Sequence, residues 1–328
     1  MPFTLSHAAA VLPAIRRTGA ARGPLIASAL VAGSFAPDLT YFADTVVPGA
    51  MLFGDVTHGL PGVLTVDVLV TAVLVAGWLL LREPLAALLP RAWQGQVYAL
   101  VRGRARNPRA IRELAAQAGR FYVSAVLGAA THVVWDAFTH AGRWGTRLVP
   151  GLDRTVGGLP ASMYLQYGTS ALALAAIGWF LWSALRGGRG VRAAQAGPGA
   201  GAAAGDIREA DAGDGGAGCA AADAVPALTV RMRLLLTVPV AGCVIAGGVY
   251  RTLRAHAVYG SSATWFDHLP PALFGAGAGL VLGLLVYAVA VRLLHRRGRG
   301  AAGGAGGGGA ARPVRPGADT AAHPASRG

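Results

Sequence analysis

The stretch THVVWDAFTH at 131–140 lies in a run otherwise apolar enough to cross a membrane, yet it carries His132, Asp136 and His140. These three are spaced i, i+4, i+8. At about 100° per residue, that spacing aligns them as a narrow stripe on one helix face. Imidazole and carboxylate on adjacent turns can share one metal ion. His140 falls about 12 Å along the axis from His132, a long reach for the same ion, so it points to a second ion or a substrate contact. Ionisable groups at membrane depth are expensive, and they mark metal sites, proton relays or ion paths.

Three more groups reach the same end of the molecule if successive helices run in opposite directions. His7 opens the chain's first apolar stretch, Asp38 follows Pro37 in GSFAPD, and His58 lies in DVTHGLPG. The expected metal ligands are therefore His7, Asp38, His58, His132, Asp136 and His140. Nitrogen and carboxylate donors without thiolate suit zinc, with manganese or iron as alternatives. Asp136 and Asp38 are also the expected catalytic carboxylates, bridging ions or orienting a water. One or two such ions would activate water and clamp the oxygens of a phosphoester. Asp67 is expected to cap a helix or bond to a neighbouring one, and His256, Asp267 and His268 to lie in an outer loop. Cys219 and Cys243 offer neither a disulfide framework nor zinc-ligand spacing.

The elements that must position these residues are membrane helices. The 328-residue chain is 54% hydrophobic and 13% charged, against about 25% charged in a soluble domain. Its mean hydropathy is +0.48. Apolar runs at 63–81, 121–139, 164–185 and 271–294 match the roughly 20 residues a span requires. Shorter or broken runs lie at 234–250 and 24–43, and 3–15 is too short to cross. The expected fold is all-α, a polytopic bundle of about six transmembrane helices plus a short N-terminal membrane-embedded helix. Residues 1–185 form the helix domain with the metal motifs, 186–233 a flexible Gly/Ala-rich linker, 234–297 a helix pair and 298–328 a disordered tail. Residues 88–120 read as an interfacial amphipathic region.

All of the +14 net charge comes from arginine, with no lysine. The arginines cluster at 16–22, 82–120, 186–233 and beyond 292, and are sparse in the alternate connections. That alternation is the positive-inside pattern, so the charge reads as topology rather than as a nucleic-acid footprint. It places the chain in a bacterial cytoplasmic (inner) membrane with the His/Asp groups toward the outer side. No cleaved signal peptide is expected, because no charged segment precedes the first apolar stretch.

MPFTLSHAAAVLP, GSFAPD, THGLPG and HVVWDAFTHAG together resemble a bacterial membrane-protein family of unknown function that is common in actinobacteria. That family is similar to the LexA-regulated, inner-membrane-bound metal-dependent hydrolases. Their early His, Pro-Asp pair, Thr-His pair and His-x-x-x-Asp-x-x-Thr run correspond to His7, Pro37-Asp38, Thr57-His58 and His132, Asp136, Thr139. More distantly the order resembles the all-helical, zinc-dependent phospholipase C and P1 nuclease group. The likeness covers 1–142 and the apolar frame to about 185. The hydrolases carry a second acidic residue after Pro-Asp, whereas here Leu39, Thr40 and Tyr41 follow, and the further His-x-x-x-Glu of a three-zinc site is missing.

The resemblance and the residues together give one leading expectation. The protein would be a membrane-bound, zinc-dependent hydrolase of a phosphoester of a lipid or cell-envelope molecule, with the lipid bilayer as its partner and no nucleic acid. The rival expectations are a proton- or metal-coupled transporter and a non-catalytic scaffold with a structural metal.

Overall fold

The computed structural model describes residues 4–102, 110–195, 228–260 and 264–305. Most of the expected linker, the end of the expected tail, Cys219 and His323 lie outside the described residues. Within them the regular structure is helical apart from a hairpin of two two-residue strands, Thr155–Val156 with Leu159–Pro160, and an isolated bridge, Ile15–Ala21.

Five described helices are long and apolar enough to cross a membrane. They are α6 (Val66–Leu88), α8 (Ile111–Thr139), α10 (Ala161–Gln195), α11 (Val230–Tyr259) and α12 (Trp265–Ala305). Their outward faces carry exposed Leu69, Val73, Trp179, Leu234 and Val238, the surface that acyl chains would cover. The sixth expected span is broken. Residues 24–43 form α2 (Ala27–Gly33), a 3₁₀ turn at Ala36–Asp38 and α3 (Leu39–Ala43). Pro37 has no amide proton to continue the ladder, and it restricts the residue before it, so the helix stops there.

The N-terminal stretch is a 3₁₀ turn, Thr4–His7, followed by α1 (Ala8–Val11). It folds back on α2 through a turn closed by the Ile15–Ala21 bridge, with Val11, Ile15 and Leu30 forming a small core. Between α3 and α6 the chain makes two further short helices, α4 (Gly54–Thr57) and α5 (Leu60–Leu64), and another, α9 (Trp144–Leu148), follows α8. The amphipathic expectation for 88–120 narrows to α7 (Arg91–Arg102), which buries Tyr98.

Glycine sets the approach of α2 to α8. A Cβ on Gly128 of α8 would lie 2.3 Å from the Leu30 carbonyl oxygen, and one on Gly33 of α2 would lie 2.5 Å from that of Ala125. With Ala29, Ala125 and Ala129 fully buried beside them, these small residues let the two backbones touch, as membrane helices favour. That contact carries the Asp38 turn onto the His132 face of α8.

The two ends of the bundle differ. The arginine turn at 16–22 lies against α7, since a Cβ on Gly19 would strike the Leu100 carbonyl. The opposite end holds the start of α6, the end of α8 and the short helices between α2 and α6. The C-terminal pair α11–α12 is fastened there by Arg251, which donates to the buried Asp44 carboxylate, and by Arg254, whose guanidinium reaches the Asp44 carbonyl at 3.0 Å.

Candidate metal centre

At the end away from the arginine turn, side chains from three segments meet in the interior. His132 and Asp136 sit one turn apart in the last two turns of α8, Asp38 ends the 3₁₀ turn after α2, and His58 follows α4. All four are buried, His132 and Asp38 completely. One ligand atom from each lies within 4.8 Å of the others, so the group could hold a metal ion.

The nitrogen–oxygen distances have the spacing of ligands rather than of hydrogen bonds. His58 Nε2 is 3.5 Å from Asp38 Oδ1 and 3.4 Å from Asp136 Oδ2. His132 Nε2 is 3.5 Å and 3.3 Å from the same two oxygens. A charge-assisted hydrogen bond would be about 2.7–2.9 Å. A tetrahedron with bonds of about 2.0–2.1 Å has edges of about 3.3–3.4 Å. Asp38 Oδ1, His132 Nε2 and Asp136 Oδ1 are also buried without a hydrogen-bond partner. Unpaired polar atoms in an apolar interior are costly, and a cation among them removes that cost. Two carboxylates and a divalent ion sum to zero charge, which suits a site out of water.

The surrounding contacts fix the ligands. His132 Nδ1 lies 2.8 Å from the Ser34 carbonyl and His58 Nδ1 2.9 Å from the Gly54 carbonyl. A carbonyl only accepts, so each ring holds its proton on Nδ1 and turns the Nε2 lone pair inward, the outer-shell arrangement of ligating histidines. Thr57 donates to the Pro37 carbonyl at 2.8 Å, tying the His58 segment to the Asp38 turn. Thr4 donates to Asp38 Oδ2 at 2.5 Å, leaving Oδ1 toward the histidines.

His7 joins the group from the N-terminal turn. Its ring stacks on His132 with centroids 3.8 Å apart, and its Nε2 is 3.5 Å from Asp136 Oδ1. His140 stands at the rim. Its Nδ1 is 4.0 Å from the same oxygen and 3.1 Å from the Asp136 backbone carbonyl. Burial, with His132 beside it, pushes the His7 imidazole down to about 3. Burial likewise lowers His140. Burial alone would raise Asp38, but His132 and His58 outweigh it and hold the carboxyl well below its usual range. For His58, the carboxylates of Asp136 and Asp38 outweigh burial and raise it.

Of the six expected ligands, four thus form the central group, His7 adjoins it through Asp136, and His140 flanks it. Asp67 lies in the first turn of α6, fully buried, with no partner for either oxygen. His256 and His268 are helical rather than in a loop, their rings 5.5 Å apart where α11 and α12 approach. Asp267 also lies in α12 and accepts from Thr264. Three supporting residues escaped the sequence reading. Thr4 carried no signal of its own. The Asp44–Arg251 pair joins positions 207 residues apart, which only the fold brings together.

A family model described as a domain of unknown function (DUF4184) matches residues 1–289. No curated protein and no solved structure matches the chain.

Proposed function

The chain belongs to the DUF4184 family, and from its buried centre we propose that it is a membrane-bound, metal-dependent hydrolase acting on a phosphoester of a lipid or cell-envelope molecule. The observation that carries this reading is the Asp38–His58–His132–Asp136 group, with ligand-like spacing and with Asp38 Oδ1 and His132 Nε2 buried without any other partner. Zinc fits its donors best. When bound, such an ion supplies Lewis acidity to water and to phosphate oxygens.

The protein's own groups do the rest. With an ion bound, His58 and His132 would present unprotonated Nε2 atoms, their rings oriented by the Gly54 and Ser34 carbonyls. Asp38 is aimed by Thr4. Asp136 presents one oxygen to His58 and His132 and the other to His7. That second oxygen faces away from the central position and is left for a water or a further ligand. The motif-level likeness to metal-dependent hydrolases supports the same chemistry. A lipid substrate is supported by exposed Val46, Val47, Leu52, Phe53, Val56 and Leu60. They lie along the segment that delivers His58, where an acyl surface would meet the site.

The test is turnover by detergent-solubilised protein over a panel of phosphomonoesters, phosphodiesters and phospholipids. Hydrolysis should vanish with a chelator and return with zinc. Asp136→Asn keeps the side chain's shape and removes its charge, so it should reduce kcat by at least about 10²-fold, the scale of one lost acid–base or electrostatic group, while the protein stays folded. A four-ligand shell also suits a purely structural metal. Stoichiometric metal without turnover on any substrate would favour that reading. His132-dependent proton or metal flux into vesicles would favour transport.

A further inference from the structure

The central group uses one oxygen of Asp136, and the other is aimed elsewhere. Oδ2 faces His58 and His132, whereas Oδ1 faces His7 Nε2 at 3.5 Å and has His140 Nδ1 4.0 Å away. Asp136 Oδ1 is buried and makes no hydrogen bond. The 3.5 Å separation from His7 is too long for a charge-assisted hydrogen bond and repeats the ligand-edge spacing of the central group. His140 Nδ1 must donate to the Asp136 backbone carbonyl, which leaves Nε2 as its free nitrogen.

From this geometry we propose a second metal position beside the first, held by His7 Nε2 and Asp136 Oδ1 with His140 at its edge, so that Asp136 bridges two ions. The two positions differ in character. The central one has four protein ligands and no net charge once a divalent ion is bound. The second has two protein ligands, and its only carboxylate is already shared. It therefore keeps open coordination positions, as catalytic zinc sites do, and carries surplus positive charge. Two ions bridged in this way form the clamp that in-line displacement at phosphorus uses. The surplus charge selects an anionic ligand, so phosphate binding and occupancy of the second position should reinforce each other. The His7 and Asp136 side chains are 3% and 5% exposed, whereas that of His140 is 30% exposed, so the second position is buried and borders the surface at His140.

This inference rests on the central group being a metal site, and the count of ions separates the two claims. Full-length protein in detergent would be loaded with zinc, freed of excess ion with inorganic phosphate present, and analysed by elemental mass spectrometry. Two ions per chain are expected, falling to one in His7→Ala and in His7→Phe. The phenylalanine variant keeps a ring stacked on His132, which guards against simple misfolding. His132→Ala should lower occupancy of the central position as well. Manganese-loaded wild-type protein should show the exchange-coupled resonance of a carboxylate-bridged pair, and His7→Phe the signal of an isolated ion. One ion per chain in the wild type with phosphate present, or two in both His7 variants, overturns the second position and leaves the first intact. No ion at all overturns both.

Discussion

Thr4 shows how a residue outside the ligand set can govern it. Its hydroxyl bonds Asp38 Oδ2, which turns Oδ1 toward His58 and His132. Thr4→Val keeps the shape and removes the donor. It should weaken zinc affinity by about 10–100-fold, the usual cost of losing an outer-shell partner, as read by competition with a chromophoric chelator. Thr4→Ser should restore it. The six ligand candidates were legible in the sequence because His and Asp are conspicuous in apolar surroundings, and because the i, i+4 relation of His132 and Asp136 survives any error in helix boundaries. Thr4 was not legible, since a threonine near an N-terminus has no chemical contrast with its neighbours. Nor could the sequence rank the ligands. That Asp136 divides its two oxygens between His58 and His132 on one side and His7 on the other is a matter of side-chain rotation, which composition and spacing do not encode.

Two elements hold these residues in register, the α2–α8 crossing and the Asp44 anchor. Gly128→Val would drive a side chain into the Leu30 carbonyl. Such overpacking typically costs about 1–3 kcal/mol. It should also separate Ser34 from His132, so metal content should fall with thermal stability, although no ligand is touched. Asp44 is 1% exposed and meets Arg251, which is 8% exposed. Replacing one partner of a buried pair typically costs about 3–5 kcal/mol, so Asp44→Asn should lower the melting temperature in detergent. Burial alone would raise the Asp44 carboxyl, but the Arg251 hydrogen bond, with the Gly49 and Met51 amides, holds it below its ordinary value. Its stabilising contribution is therefore complete above about pH 4, the unfolded value, and is lost as pH falls through the lower folded one. Asp44→Asn should abolish that part of the acid dependence. The crossing was not foreseen, because Gly33 and Gly128 lie far apart in sequence and each reads alone as ordinary membrane-helix composition. The break at Pro37 was visible, but not the chain of short helices beyond it, whose Gly- and Pro-rich sequence has too little periodicity to assign.

For the whole molecule, the long helices were readable from hydropathy alone, whereas their pairing was not. Apolar length reports that a segment can cross a membrane and says nothing about its neighbours. The orientation rests on arginine. In a variant lacking Cys219 and Cys243, Arg147→Cys should react with an impermeant maleimide in intact cells, and Arg91→Cys only after lysis. The reverse pattern would turn the centre toward the cytoplasm. The Asp44–Arg251 pair carries a last consequence, for biogenesis. Its partners are 207 residues apart, and chains grow at about 5–20 residues per second. Every nascent chain therefore spends roughly 10–40 s with Asp44 already made and Arg251 still untranslated. For that interval the carboxylate has the Gly49 and Met51 amides as local donors but no guanidinium, and the C-terminal hairpin brings the charge partner last. A chain truncated before Arg251 would keep a buried carboxylate without its charge partner, which is costly.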